Sequence, residues 1–226
     1  MRTSSLTLPI LNLALASSMI GLTPASASDN RTTALHIEVD TSEAPDVAPW
    51  AAKAKRTVEI WYPKISEYLQ TDGFTPPAHV KIVFKKDQKL VAGTSGREVK
   101  TIAISADWIR KHPEDIGMVV HELVHVIQCY PEPKPGWLVE GIADYIRFAH
   151  FEPTTPIRLS RKANYKDGYK TAAAFLVWIE RKYDKKIVVE LNRAMRNNEY
   201  RDELFEQFTG KKLDVLWREF AKGLPR

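Results

Sequence analysis

The chain has 226 residues, of which 44% are hydrophobic and 27% are charged. This balance is typical of a folded protein and excludes a disordered chain. Its 33 basic and 28 acidic residues give a net charge of +5. Because the basic residues are scattered among acidic ones, they indicate a solvated surface and not a nucleic-acid-binding protein. Cys129 is the only cysteine, which excludes an intrachain disulfide bond.

The first 27 residues differ from the rest of the chain. Arg2 is their only charged residue, and an apolar run ends in the small-residue tripeptide "ASA" at positions 25–27. We predict that residues 1–27 are a secretory signal peptide, so that the mature protein is secreted or periplasmic. A membrane anchor is the alternative, but the run is short and interrupted. No later stretch reaches the roughly 20 apolar residues of a membrane span, so we expect no stable membrane insertion.

Strands and one helix are predicted in the first half of the mature chain. Alternating apolar residues predict strands at 34–40, 79–84 and 100–105. A long amphipathic helix is expected at about 50–69. The glycine-containing segment 92–99 is typical of a turn or loop, so we predict that 79–105 is a hairpin or meander.

The second half is predicted to be helical. Pro113 suits a first helical turn, and Glu114 and Asp115 suit the positive end of the helix dipole. The proline-rich segment "YPEPKPG" should end this central helix. Further helices are predicted at 137–150, 167–183, 185–197, 201–208 and 212–222. We therefore expect one α+β domain over 28–226, with a sheet lobe at about 33–112, an active-site helix at about 113–129, a helical lobe at about 137–224, and a cleft between the lobes.

The central helix carries the motif "HELVHVIQ" at 121–128. On a helix, His121 and His125 lie about 40° apart, so both imidazoles project from one face and can share a cation. Glu122 lies beside them but not in line, which suits a base that does not bind the metal. The alternative is an amphipathic helix that carries two histidines without a metal. A catalytic zinc ion needs three protein ligands, and Glu140 and Asp144 share one face of the next helix.

The pattern H-E-x-x-H followed by E-x-x-x-D resembles the gluzincin branch of zinc metallopeptidases. The segments "HELVHVIQCY", "GWLVEGIADYIR", "YKDGYKTAAAFLVWI" and "FTGKKLDVLWREF" resemble the plant basic secretory protein family and its bacterial relatives. This resemblance implies a zincin-like fold with Zn²⁺ as cofactor. It implies that His121, His125 and Glu140 bind the zinc ion, that Glu122 is the general base acting on a metal-bound water, and that Asp144 orients His121.

The resemblance also implies a donor for the tetrahedral oxyanion and an edge strand for the substrate. Tyr169 and Tyr165 are the candidate donors, and we favour Tyr169 because Gly168 could position the start of its helix. Either "KTIAIS" or "VAGTS" would be the edge strand that binds an extended peptide. The remaining histidines show no ligand spacing, and we interpret them as ordinary surface or core residues: His36, His79, His112 and His150.

Three functions are compatible with these features. The first is a secreted zinc-dependent endopeptidase that acts on peptides or proteins as a monomer. The second is a zincin-fold binding or defence protein with a structural or vestigial metal site. The third is a metal-dependent hydrolase of non-peptide amides or esters. Because all five residues of the implied site are present, we favour the peptidase.

Overall fold

A mixed four-stranded sheet forms the N-terminal part of the fold. The computed structural model describes residues 34–160 and 162–224. The strands are β1 (His36–Asp40), β2 (His79–Lys85), β3 (Ala92–Ser95) and β4 (Lys100–Ser105), in the spatial order β1-β2-β4-β3. β1 and β4 both pair in parallel with β2, whereas β3 pairs with β4 in antiparallel orientation.

The prediction of a hairpin or meander over 79–105 is wrong in two respects. β2 and β4 are parallel neighbours, with Ile82 opposite Ile102 in the core. The segment assigned to a loop contains the edge strand β3. An edge strand packs against fewer neighbours than an internal strand does. Its sequence, Ala-Gly-Thr-Ser, therefore lacks the large apolar residues that identify strands from sequence.

Eight α-helices make up most of the remaining described residues, and together with the sheet they confirm the α+β class. Short 3₁₀ turns occupy Pro45–Val47 and Tyr165–Asp167, and a π-helical turn, Ile146–Phe151, continues the fourth helix. The helices are α1 (Ala48–Tyr68), α2 (Ala106–Lys111), α3 (Gly117–Gln128), α4 (Gly136–Tyr145), α5 (Tyr169–Lys182), α6 (Ile187–Arg196), α7 (Glu203–Thr209) and α8 (Leu213–Lys222).

The motif helix begins later than predicted. Residues 113–116 form a turn between α2 and α3 and are not the first turn of the motif helix. Asp115 does not serve the helix dipole in the expected way, because its carboxylate accepts hydrogen bonds from side chains. Trp108 Nε1 donates to it at 2.9 Å and Arg147 Nη2 donates to it at 2.6 Å. The acidic residue that suggested a helix start therefore belongs to a tertiary contact.

Helix α3 lies at the centre of the fold and is buried along almost its whole length. It packs against α1, α4 and β3. The guanidinium of Arg196 fixes its C-terminal end, since it donates to the carbonyl of Ile127 at 3.0 Å and to the carbonyl of Leu69, just after α1, at 2.6 Å. Burial lowers the pKa of Arg196. The carbonyls at the ends of two helices surround this cation in place of a carboxylate.

Gly141, on α4, leaves room for a neighbouring helix to approach closely. A Cβ atom at Gly141 would lie 2.7 Å from the Cβ of Ala172 on α5. The close contact is therefore between α4 and α5, and not between α3 and α4.

The predicted signal peptide at 1–27 lies outside the described residues. Among the helices of the described part of the chain, none combines the length and apolar character that a membrane crossing requires.

Candidate metal centre

Helix α3 brings the two histidines of the motif to one point. Their spacing places them on the same helical face, while the apolar residues between them, Leu123 and Val124, pack in the core. The two ring centroids lie 4.8 Å apart, with the ring planes inclined at 83°. The Nε2 atoms of His121 and His125 are 3.1 Å from each other. Both nitrogens therefore face the same small space.

Glu140 of α4 reaches this space from the other side. Its Oε2 atom lies 3.1 Å from Nε2 of His121 and 3.4 Å from Nε2 of His125. Ligand atoms that bind zinc at about 2.0–2.1 Å in a tetrahedron stand about 3.3 Å apart. The triangle of two nitrogens and one oxygen therefore has the size of one face of a zinc tetrahedron. These three residues could hold a metal ion.

Two further side chains fix the orientation of the imidazole rings. Asp144, one turn after Glu140 on α4, accepts a hydrogen bond from Nδ1 of His121 at 2.7 Å. Gln128 accepts one from Nδ1 of His125 at 2.7 Å through its Oε1 atom. The amide nitrogen of Gln128 in turn donates to a carbonyl of α4 at 2.9 Å. Both rings are thus held with Nδ1 protonated and the Nε2 lone pair directed at the common space.

This arrangement suits a cation. Two imidazole lone pairs and one carboxylate oxygen converge within 3.4 Å of one another. Such electron pairs repel each other unless a positive charge lies among them. The donor set therefore fits a divalent metal ion, and two histidines with one glutamate is a ligand set of catalytic zinc sites.

The pKa values of the cluster show the same need for positive charge. Burial lowers the pKa of His121, but hydrogen bonds to Asp144 and Glu140 outweigh this effect and raise it to about 9. Burial raises the pKa of Glu140, but hydrogen bonds from His121 and His125 outweigh this effect and lower it to about 2. The surroundings of both groups therefore favour positive charge at this point, which a bound metal ion would supply.

Glu122 is buried and points to the edge strand of the sheet. Its Oε2 atom accepts a hydrogen bond from the hydroxyl of Thr94 on β3 at 2.7 Å. The same hydroxyl lies 3.0 Å from the main-chain carbonyl oxygen of Glu122, which is a weaker acceptor than the carboxylate. Glu122 lines the cleft but does not belong to the group that could hold a metal ion. Sequence reasoning missed Thr94, because no local spacing links β3 to α3.

Tyr169 lies beside the metal centre. It is 55% exposed, and its ring is stacked over His121 with centroids 6.0 Å apart and planes inclined at 13°. The backbone reaches this position through positive φ angles at Gly168 (71°) and Tyr169 (46°), directly before and at the start of α5. The charge of Glu140 raises the pKa of Tyr169, and burial adds to the shift. At neutral pH its hydroxyl therefore keeps its proton and can donate it in a hydrogen bond.

Tyr165 lies in the core and does not line the cleft. Its side chain is buried, and its hydroxyl lies 3.4 Å from Oδ1 of Asp214. Its ring packs against three other aromatic rings: those of Trp137, Phe175 and Trp217. Of the two tyrosines considered from the sequence, only Tyr169 is placed to contact a substrate at the metal centre.

The metal centre opens into a cleft of about 940 Å³. Residues of strand β3, of helices α3 and α4 and of the start of α5 line the cleft. Of β3 and β4, only β3 is an edge strand, so of these two only β3 has free main-chain groups for an added strand. Of the two segments considered as the edge strand for a substrate, "VAGTS" therefore has a free edge and "KTIAIS" does not. Apolar side chains also line the cleft: Leu90, Val91, Trp108 and Met118.

The remaining histidines and the cysteine have varied surroundings. Cys129 is half-buried, and its thiol donates to the carbonyl of Val126 at 3.3 Å. His112 stacks on Trp108. His36 and His79 have no ligand spacing along the sequence, but the fold brings them together. They meet across the β1–β2 pair, next to Glu38.

Comparison with known proteins agrees with the chemistry of the site. No curated protein and no solved structure matches the chain. A family model described as "peptidase of plants and bacteria" matches residues 37–220, which include the motif helix, α4 and the start of α5. With most of its length matched, the chain belongs to this family of peptidases, the basic secretory protein family.

Proposed function

We propose that the protein is a zinc-dependent metallopeptidase with a zincin-like fold, which is exported and hydrolyses peptide bonds in peptides or proteins. The observation that carries the proposal is the triangle of His121 Nε2, His125 Nε2 and Glu140 Oε2 beside the carboxylate of Glu122. Membership of a peptidase family supports a peptide substrate. The ligand set supports zinc over magnesium or calcium, which prefer oxygen ligands alone.

Each residue of the site would have a separate role in hydrolysis. A zinc ion held by His121, His125 and Glu140 would act as a Lewis acid, acidifying a water molecule and polarising the scissile carbonyl. Glu122 is free of the ligand set, so its carboxylate can accept the proton of the attacking water and deliver it to the leaving amine. Thr94 keeps one oxygen of this carboxylate fixed by donating to it at 2.7 Å.

Two further parts of the cleft would serve the substrate. The hydroxyl of Tyr169 can donate a hydrogen bond to the oxyanion that forms when water adds to the carbonyl. The free edge of β3 can pair with the main chain of an extended peptide and hold its scissile bond beside the motif helix. Tyr169 and residues of β3 line the same cleft.

The test combines metal analysis with hydrolysis. The purified mature protein should contain stoichiometric zinc, hydrolyse casein or a peptide library, and lose this activity on chelation and regain it with Zn²⁺. Glu122→Gln should abolish hydrolysis and keep the zinc, because Glu122 is not a ligand. Glu206→Gln, at an exposed position of α7, is the matched control.

Two results would separate the proposal from its alternatives. Stoichiometric zinc without hydrolysis of any peptide would contradict the peptidase and favour a binding or defence protein. Hydrolysis of non-peptide amides or esters alone would indicate a different substrate class. Export is tested separately by the N-terminal sequence of the native protein, which should begin at Ser28.

A further inference from the structure

A second group of two histidines and one glutamate lies on the sheet. His36 and His79 are direct partners in the parallel pair β1–β2. Glu38 follows His36 by two residues, and alternate residues of a strand share one face. One ligand atom from each of the three residues lies within 4.8 Å of the others. β1 and β3 are at opposite edges of the sheet, so this group is separate from the centre on α3.

The two imidazole rings and the carboxylate of this group are arranged much as those on α3 are. The ring centroids of His36 and His79 are 4.7 Å apart with planes inclined at 77°, compared with 4.8 Å and 83° for the motif histidines. One carboxylate oxygen faces both Nε2 atoms in each case. Oε1 of Glu38 lies 2.7 Å from Nε2 of His79 and 3.4 Å from Nε2 of His36.

We propose that His36, Glu38 and His79 form a second metal site, which binds a divalent transition-metal ion such as Zn²⁺. Imidazole ligands select such ions over Mg²⁺ and Ca²⁺, which prefer oxygen. The side chains of His36, Glu38 and His79 are 65%, 45% and 37% exposed, so water can complete the coordination. The site is open and exchangeable, unlike a closed structural zinc site.

The charges around the group favour a bound cation. Lys81 is the next residue of β2 on this face, but its ammonium lies 3.5 Å from the carboxylate of Asp40. The charge of Lys81 is therefore balanced by Asp40, and Glu38 keeps its contacts with the two imidazoles. With one carboxylate and two neutral imidazoles, the ligand group carries a single negative charge, which attracts a metal cation.

The second site should bind its ion more weakly than the first. Within residues 34–160 and 162–224, no group accepts a hydrogen bond from Nδ1 of His36 or His79, whereas Asp144 and Gln128 do so for the motif histidines. Partners of this kind change metal affinity by about 10–100-fold. Titration with Zn²⁺ should therefore resolve a tight and a weaker site.

A metal ion here would join the edge strand to the sheet interior. β1 pairs only with β2, so within the sheet it is held from one side. An ion bound by residues of both strands stabilises the folded state, because the unfolded chain does not bring these residues together. At a free Zn²⁺ concentration about ten times Kd, the melting temperature should rise by roughly 3–6 °C.

The experiment uses the mature protein with the proposed active site disabled. The double variant His121→Gln/His125→Gln, stripped with chelator, is dialysed against Zn²⁺ and melted with and without it. It should bind one zinc ion per chain and show the rise in melting temperature, whereas Mg²⁺ should cause none. Adding His79→Gln should weaken the binding on the order of 100-fold.

The matched control is His112→Gln, an exposed histidine whose Nδ1 lies 3.7 Å from Glu114 but which has no second histidine beside it. It should leave zinc binding unchanged. If His36→Gln and His79→Gln also leave zinc binding and melting temperature unchanged, the second site is refuted. If the double variant does not fold, the zinc content of the wild type and of the single variant His79→Gln is compared instead. The wild type should bind two zinc ions, and His79→Gln should bind one while keeping its hydrolytic activity. The outcome is read from metal content, so it does not depend on the proposed peptidase function.

Discussion

The hydroxyl of Thr94 is expected to control the efficiency of Glu122 without contacting the metal. Thr94→Val replaces this hydroxyl with a methyl group of similar size and so removes the hydrogen bond of 2.7 Å to the carboxylate, together with the weaker contact of 3.0 Å to the main-chain carbonyl of Glu122. A hydrogen bond to a charged group contributes about 1.5–3 kcal/mol. Where that energy holds the base in its reactive orientation, its loss lowers kcat by about 10–100-fold, since 1.36 kcal/mol corresponds to a factor of ten.

The other properties of the variant should change little. The side chain of Thr94 is bonded to Glu122 and not to the substrate, so KM should stay within about twofold, as expected for an interaction that acts on the transition state. The melting temperature should fall by a few degrees, roughly the loss of one partly buried hydrogen bond. The assay is steady-state hydrolysis of a quenched fluorescent peptide, with zinc content measured on the same sample.

Two variants serve as controls. Thr94→Ser keeps a hydroxyl and should recover most of kcat. Thr101→Val makes the same chemical change at the residue of β4 that faces Ser95, and should leave kcat unchanged. The reasoning is refuted if Thr94→Val retains wild-type kcat, or if its loss of activity is matched by an equal loss of zinc.

Three other substitutions test separate parts of the structure. Asp144→Asn keeps the size of the side chain but removes its charge, and should weaken zinc binding by about 10–100-fold. The affinity is measured in competition with a chromophoric chelator, and an unchanged affinity would contradict the orienting role of Asp144. Tyr169→Phe should lower kcat by about 100-fold with zinc content unchanged; equal kcat would assign the oxyanion donor elsewhere. Arg196→Met leaves the carbonyl of Ile127 without its guanidinium donor and the carbonyl of Leu69 with the amide of Asn192 alone, and should lower the free energy of unfolding in urea by about 2–5 kcal/mol; a loss below 1 kcal/mol would show that water replaces the guanidinium.

The local parts of the site could be predicted from the sequence. A helix repeats every 3.6 residues, so residues four apart share a face. This rule alone placed His121 with His125 and Glu140 with Asp144, and the prolines and glycine after the motif indicated that the chain reverses between them. Patterns of apolar residues likewise located α1 and α4–α8 to within a few residues at most ends, and indicated the α+β class.

Contacts between distant segments could not be predicted in this way. Thr94 meets Glu122 because β3 packs on α3, and β3 carries none of the large apolar residues that would have identified it as a strand. The start of α3 was predicted too early, because Asp115 was interpreted as a residue of the first helical turn. Its carboxylate instead accepts hydrogen bonds from Trp108 and Arg147.

The sequence by itself determined which residues of α3 and α4 face the same side, because that depends only on helical geometry within a few turns of chain. Only the tertiary structure decided which of Tyr165 and Tyr169 reaches the cleft, and that His36 lies opposite His79. The first depends on the positive φ angles at Gly168 and Tyr169, and the second on the register of two parallel strands. Both features depend on packing between segments that are distant in the sequence, and no local spacing rule predicts such packing.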